Sequence, residues 1–113
     1  MDQRELETQT KKFLAAYEAK DLATVSEQFS EDVVVRDWNI EIVGKANALK
    51  TFAKNFEDAT SLSIELVELH TSANSVAAEI EITANSSEVL RVVDVLTFTE
   101  DGLIASIVSY KGL

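Results

Sequence analysis

The chain has 113 residues, of which 46% are apolar, and a formal net charge of −10. This length suits one domain with a single core, and the acidic balance predicts that neither nucleic acid nor anionic membrane is a partner. The chain has no cysteine, which excludes disulfides, thiolate zinc sites and cysteine nucleophiles, and its single histidine, His70, excludes a histidine-rich metal site.

The chain also lacks the patterns of a membrane or exported protein. No run of eighteen apolar residues is present, and the N-terminal stretch is charged and polar. We therefore predict no membrane span and no export signal, with the cytoplasm as the default location. No linker, repeat or proline interrupts the sequence, which indicates a single domain over residues 1–113.

Two helices are predicted at the start of the chain. Apolar and aromatic positions recur there at steps of three and four residues, namely Leu6, Thr10, Phe13, Leu14 and Tyr17. Asp21 has the position of an N-cap for a second helix from Leu22 to Phe29. Residues 30–32 are predicted to form a turn.

A strand and a third helix come next. The β-branched run from Val33 to Trp38 predicts a strand, and residues 40–43 are expected to pair with it. Gly44 ends this pattern. Leu49, Phe52 and Phe56 then have helical spacing, which predicts a third helix from Ala46 to about Phe56.

The second half of the chain predicts sheet. Alternation begins at Leu62, and its change of phase at Val67 indicates a β-bulge. Further strands are predicted over residues 76–84, 88–99 and 103–110, joined by short polar hairpin loops. Helices followed by an antiparallel meander indicate an α+β fold, with the helices on one face of a curved sheet.

The strand around Asp94 carries large apolar groups on both faces. Val92, Leu96 and Phe98 share a side with Asp94, and Val93 and Val95 lie opposite. The helices can cover only one of these sides. A second subunit is the simplest cover for the other, so we predict a homodimer through the outer face of the sheet.

The order of these segments resembles the nuclear transport factor 2-like superfamily, in its ketosteroid isomerase and SnoaL-like branch. The resemblance spans roughly residues 9 to 112 and rests on four segments: residues 13–17 with 20–22, residues 29–37, Gly44-Lys45-Ala46, and residues 93–98 followed by 100–104. It implies a conical, cystatin-like fold, in which three helices from the N-terminal half pack on the concave face of a mixed, largely antiparallel sheet.

The resemblance also implies a site. The general base of ketosteroid isomerase matches Asp37, and its protonated aspartate, a worked example of a carboxyl held neutral, matches Asp94. The isomerase's oxyanion-hole tyrosine matches Phe13, so this chain lacks that hydroxyl, although Tyr17 lies one helical turn away and can supply another. The implied apolar lining comprises Phe13, Trp38, Phe52, Phe56, Val35, Val92 and Leu96.

Each residue also has a simpler interpretation. Asp94 can pair with Arg91, Arg36 or a backbone group, and Asp37 can cap the turn into Trp38 and Asn39. Tyr17 can be a core aromatic, and Trp38 can fill core or interface space. Arg91 and Asp94 are three residues apart and face opposite ways, unlike the paired Arg and Asp, two apart on one strand, of the family's epoxide hydrolases.

The residues and the resemblance together predict a protein that binds a small apolar or carbonyl-containing molecule. The first hypothesis is a cofactor-independent isomerase or cyclase that moves protons next to a carbonyl. Asp37 is then the base, and Asp94 with Tyr17 stabilises the oxyanion. The alternative is a non-catalytic ligand-binding or dimeric association module. No metal or other cofactor is expected.

Overall fold

The computed structural model describes residues 1–112 and begins with the predicted pair of helices. The first helix, α1 (Gln3–Glu18), starts where the Asp2 carboxylate accepts a hydrogen bond from the Glu5 N–H at 2.8 Å. Asp21 caps the second helix, α2 (Leu22–Gln28), by accepting from the Thr24 N–H. Both carboxylates satisfy backbone donors that have no partner inside the helix. The predicted N-cap at Asp21 is confirmed.

The predicted turn at residues 30–32 is wrong, because these residues belong to the first strand. Strand β1 (Phe29–Arg36) starts directly after α2, so Phe29 is the C-cap of the helix and the first residue of the strand. Phe29 pairs with Ile104, which lies in the last strand of the chain. The pairing of β1 with β6 shifts between Phe29 and Val34, so residues 30–32 form an irregular stretch of the strand, which local turn preference does not distinguish from a turn.

The other elements follow the predicted order, with ends that differ by a few residues. They are β2 (Glu41–Val43), α3 (Lys45–Asp58), β3 (Leu62–Thr71), β4 (Ser75–Ala84), β5 (Glu88–Phe98) and β6 (Ile104–Lys111). The predicted bulge is confirmed, since the pairing of β3 with β4 shifts between Leu66 and Glu68.

The six strands form one curved, open, mixed sheet in the order β2-β1-β6-β5-β4-β3. Strands β3 to β6 form the predicted antiparallel meander, whereas β1 runs parallel to β6. The helices contact one face of this sheet, α1 against β3 and β4 and α3 against β1. The predicted α+β architecture is therefore confirmed.

The core lies between the helices and the concave face of the sheet. Its fully buried side chains come from all three helices and four strands, and the largest are Phe29, Leu6, Ile80, Leu96 and Ile104. None of the helices within residues 1–112 combines the length and the apolar character that a membrane span requires. The core fills one end of the space under the helices and leaves the other end open as a cavity.

Candidate functional site

A cavity of about 360 Å³ opens between α1, α3 and the concave face of the sheet. Such a volume accommodates a small organic molecule. Most of its wall is apolar, with polar groups at a few points. The residues that carry those polar side chains are Tyr17, Asp37, Trp38, Asn55, Asp58, Asn85, Asp94 and Ser109.

Asp94 lies in the cavity wall because β5 alternates strictly between its two faces. Val92 and Leu96 are buried on the same side, and Asp94 itself is only 9% exposed. Burial disfavours the charged carboxylate and raises the pKa of Asp94 to about 6, against an opposing hydrogen bond from Ser109. Asp94 is therefore a carboxyl that changes protonation close to neutral pH.

Neither candidate arginine pairs with Asp94. Arg91 projects from the outer face of β5 and lies 3.2 Å from the Glu81 carboxylate, while Arg36 lies 3.6 Å from that of Glu41. The partner is instead Ser109, whose hydroxyl donates to Asp94 Oδ1 at 2.6 Å. Asp94 thus faces the cavity, and among residues 1–112 no lysine or arginine forms an ion pair with it.

Sequence reasoning missed Ser109 because a second irregularity sets the pairing of β5 with β6. Phe98 pairs with Ile104 but Thr97 pairs with Ser106, so one residue of β6 is bulged and Ser109 stands opposite Asp94. Regular pairing continued from the hairpin would have put Val108 there. The sequence does contain one signal of this bulge. Ile104 and Ile107, both buried, are three residues apart, a spacing that does not fit the period of two of a regular strand.

Asp37 follows the last residue of β1 and lies at the mouth of the cavity. Its Oδ1 accepts from the N–H groups of Asn39 at 2.7 Å and Ile40 at 2.9 Å. Asp37 therefore caps a turn, as the simpler interpretation expects, and also lines the cavity. The turn holds the carboxylate in place while its second oxygen, Oδ2, accepts no hydrogen bond from residues 1–112.

Tyr17 brings a hydroxyl to the cavity from α1. Asn55 on α3, which sequence reasoning missed, donates to this hydroxyl at 3.5 Å. Burial raises the pKa of Tyr17, and the negative charges of Asp94 and Asp37 raise it further against the lowering effect of Asn55. The phenol is thus a hydrogen-bond donor near both aspartates, and Asn55 was detectable as a polar residue one turn after Phe52.

The aromatic wall comprises Phe13, Tyr17 and Phe52, and both Tyr17 and Phe52 contact Phe56. Tyr17 lies 5.3 Å from Phe52 and 4.9 Å from Phe56, centroid to centroid, in edge-to-face contacts. Phe13, Phe52, Val35 and Val92 line the cavity as expected. Phe56 and Leu96 do not, since Phe56 is buried against Tyr17 and Phe52, and Leu96 is fully buried in the core.

Trp38 lies at the cavity mouth and is 44% exposed. Its ring has the Lys111 ammonium 5.8 Å from the centroid, which is a cation–π contact. Trp38 is therefore neither core nor deep wall, and its exposed face is available to a planar molecule at the entrance.

The charge of the lining limits what can bind. Within residues 1–112, the lining holds three carboxyls, Asp37, Asp58 and Asp94, and no lysine, arginine or histidine. Lys54 lies 3.0 Å from Asp58 and offsets that charge only. Anionic ligands would be repelled, whereas a neutral molecule with an oxygen that accepts from Tyr17 or Asp94 fits.

Comparison with known proteins assigns this architecture to a family. The family model of the SnoaL-like domain matches residues 10–107. The chain belongs to the SnoaL-like domain family. No curated protein matches this SnoaL-like chain. Its fold is that of the nuclear transport factor 2-like superfamily, as the sequence resemblance predicts.

Solved structures similar to this SnoaL-like domain include named enzymes. SalBIII, an epoxide hydrolase/cyclase-like enzyme with a role in pyran ring formation in the polyether salinomycin, has a TM-score of 0.86 at 20% identity, over 99% of this chain and 94% of its own. A candidate ketosteroid isomerase from Kribbella flavida has a TM-score of 0.83 at 16% identity, over 97% and 79%. An epoxide hydrolase of the LEH-like type from M. tuberculosis has a TM-score of 0.84 at 17% identity, over 96% and 84%. At these identities the likeness shows the fold alone.

Proposed function

We propose that this SnoaL-like domain is a cofactor-independent acid–base enzyme acting on a small, uncharged carbonyl compound. The observation that carries the proposal is Asp94, a buried carboxyl with a pKa of about 6 in the wall of an otherwise largely apolar cavity. Perturbed carboxyls in cavities are typical of groups that exchange protons with a ligand. Isomerase and cyclase proteins among the structural neighbours are consistent with this chemistry.

The two aspartates differ in environment, which suits two different roles. Asp37 lies at the mouth with Oδ2 unengaged, so it can remove a proton from the carbon next to the ligand's carbonyl. A ligand that displaces water from around Asp94 would favour the neutral carboxyl still more. Neutral Asp94 would then donate a hydrogen bond to the oxygen on which negative charge develops.

Tyr17 supplies the hydroxyl donor that is missing because Phe13 stands at the position of the isomerase's tyrosine. Its hydroxyl has Asn55 as a hydrogen-bond donor, which leaves the phenolic proton free for the ligand oxygen. Tyr17 and Asp94 would together form the oxyanion-binding pair. The carbonyl oxygen of the ligand would point to Tyr17 and Asp94, its α-carbon to Asp37 and the rest of its apolar body toward Trp38.

Binding is the first test, and 2-tetralone is a suitable probe because it is a small bicyclic ketone without charge. Trp38 is the only tryptophan, so its fluorescence reports occupancy of the mouth. We expect saturable quenching, together with chemical-shift changes at Tyr17 and Asp94 in NMR spectra. The matched acid, 2-naphthoate, should bind at least tenfold more weakly, since the lining carries no cation.

Shift changes confined to residues outside the lining would contradict the proposed site. Equal binding of the acid and the ketone would contradict the charge argument. Both results are read from one titration series, with identical protein and buffer.

A non-catalytic ligand-binding module is the second candidate, and Phe13 is the observation that favours it. Phe13 is buried and stacks on Phe29 with ring centroids 6.1 Å apart, so the position offers only apolar contact. Binding of the probe without exchange of its α-hydrogens would support this second candidate over the enzyme.

We also propose a homodimer through the outer face of the sheet. Val93 and Val95 on β5 are only partly buried there, opposite Tyr110 and Val108 of β6, and Tyr110 is 59% exposed. An apolar centre of this kind on a sheet face is typical of a protein interface. We expect light scattering to give twice the chain mass at micromolar concentration, and Val95→Glu to give the monomer.

The control for the dimer is Val89→Glu, near the exposed start of β5. It adds the same charge to the same strand but lies away from the apolar centre. A monomeric wild-type protein, or equal dissociation by both variants, would refute the interface.

A further inference from the structure

A cluster of possible metal ligands lies on the outer face of the β3–β4 hairpin, on the other side of the sheet from the cavity. Its members are Glu68, His70 and Glu79, whose ligand atoms all lie within 4.8 Å of one another. His70 Nε2 is 3.6 Å from the Glu79 carboxylate. We refer to these three residues as the Glu–His–Glu cluster.

The strand geometry aims all three side chains to the same side. Glu68 and His70 are two residues apart on β3, and Glu79 on β4 is directly opposite Glu68. Their neighbours Leu69 and Ala78 point the other way, into the core. The cluster is thus part of a regular ladder and does not depend on a flexible loop.

The bulge at Val67 creates this arrangement. Leu66 pairs with Ile80 and Glu68 with Glu79, so one extra residue of β3 lies between the two pairs. Without it, Glu68 would stand opposite Ala78 and face the core, on the other side of the sheet from Glu79. Bulges that redirect a side chain are frequent next to functional sites.

The local charge favours a bound cation. Glu68 opposes Glu79 and Glu65 opposes Glu81 on the same face, and like charges directly opposite each other destabilise a sheet. Arg91 lies 3.2 Å from Glu81 and relieves the second pair. Among residues 1–112, no lysine or arginine forms an ion pair with Glu68 or Glu79, and the whole chain carries a net charge of −10.

We propose that the Glu–His–Glu cluster binds a divalent transition-metal ion, with Zn²⁺ as the best match. One imidazole nitrogen and two carboxylate oxygens are zinc ligands, with metal–ligand distances of about 2.0–2.2 Å. Ligand atoms around one tetrahedral zinc ion are therefore about 3.4 Å apart. The exposed side chains of Glu68 and His70 can reach that separation by rotation about their own bonds.

The imidazole sets the metal preference. Mg²⁺ and Ca²⁺ take oxygen ligands, whereas Zn²⁺ accepts nitrogen and oxygen together. Three protein ligands leave at least one zinc position for water. The bound ion links β3 to β4 and neutralises the unrelieved pair of glutamates.

The test is a titration of the full chain with Zn²⁺, followed by calorimetry and by the ring signals of His70, which is the only histidine. We expect one ion per chain, a change in the His70 ring signals at the same stoichiometry, and a rise in Tm with zinc concentration. His70→Gln, Glu68→Gln and Glu79→Gln should each weaken binding by at least about tenfold, the low end of what disturbing a metal site costs. Mg²⁺ at the same concentration should leave the ring signals unchanged.

The matched control is Glu65→Gln, which removes a like charge on the same face and strand but no member of the cluster. The zinc affinity of this variant should stay within about threefold of wild type, because the variant loses only the long-range attraction between the Glu65 charge and the ion. Equal weakening by Glu65→Gln and Glu68→Gln would overturn the site, as would zinc binding that leaves the His70 signals unmoved. Equal affinity for Mg²⁺ and Zn²⁺ would also overturn it, because the imidazole would then contribute nothing.

Discussion

Replacing Asp37 with asparagine is expected to slow the exchange of 2-tetralone α-hydrogens for deuterium by about 10²–10⁴-fold, the usual contribution of a general base. The change removes the base and keeps the turn, because the asparagine Oδ1 can accept from the same Asn39 and Ile40 N–H groups. Probe affinity and stability should therefore change little. The exchange is followed by proton NMR in D₂O, with the probe in excess over the protein.

The control for this prediction is Asp58→Asn, which removes another carboxylate from the lining. Asp58 is paired with Lys54 at 3.0 Å and has a largely exposed side chain, so it is poorly placed to remove a proton. Its replacement should leave the exchange rate within about threefold, which corresponds to well under 1 kcal/mol in the barrier. Equal losses in the two variants would contradict the role of Asp37, and wild-type exchange at the buffer rate would favour the binding module.

Replacing Asp94 with asparagine is expected to make the protein more stable than wild type at alkaline pH. The pKa of Asp94 is about 6 in the folded protein against an ordinary value of 3.8, so the folded state binds the proton more tightly than the unfolded state. The stabilisation from this group is complete below pH 3.8 and is lost as the pH rises through 6. Over the whole range the loss is about 3 kcal/mol, roughly half of it between pH 5 and pH 8.

Urea unfolding of both proteins between pH 5 and pH 8 measures this difference. The range stays above the sequence pI of about 4.4, where the chain would have no net charge to keep it soluble. The free energy of unfolding of Asp94→Asn, relative to wild type, should increase by about 1.5 kcal/mol across it. A difference that stays constant with pH would show that Asp94 titrates at its ordinary value.

Ser109→Ala provides the companion measurement for Asp94. The Ser109 hydroxyl donates to Asp94 Oδ1, and this bond lowers the pKa of that carboxyl. Without the bond the pKa should rise further above 6, and the pH at which stability falls should rise with it. Carboxyl carbon shifts in a ¹³C NMR titration report that pKa directly.

Alternation along a strand was sufficient to predict one side of the site. Val92, Asp94 and Leu96 were expected on one face of β5, and they are buried there. The two ends of a strand differ in what lies above them, however. Core side chains pack over Leu96, whereas Val92 borders the cavity. Val92 therefore lines the cavity and Leu96 does not.

Helical spacing likewise predicts which side chains are buried, but it does not predict which of them line the cavity. Phe13, Phe52 and Phe56 were assigned to inward helix faces, and all three are buried. Phe56 packs against Tyr17 of α1, with 4.9 Å between ring centroids, and does not line the cavity, whereas Phe52 on the same helix does. Periodicity identifies a face of a helix, but the neighbouring helix decides which residues of that face contact the cavity.

The sequence by itself determined the order of elements and the direction in which Asp94 points, because these depend on local periodicity and capping. The family was indicated by the resemblance of whole segments to known proteins. Only the tertiary structure decided which groups Asp94 and Tyr17 contact. Ser109 reaches Asp94 through a one-residue shift in the pairing of β5 with β6, and Asn55 reaches Tyr17 across two helices. The same holds for residues 30–32, which continue a strand whose flanking residues, Phe29 and Val34, pair with residues more than seventy positions later. Contacts between distant segments depend on how whole elements pack, and no local pattern records that packing.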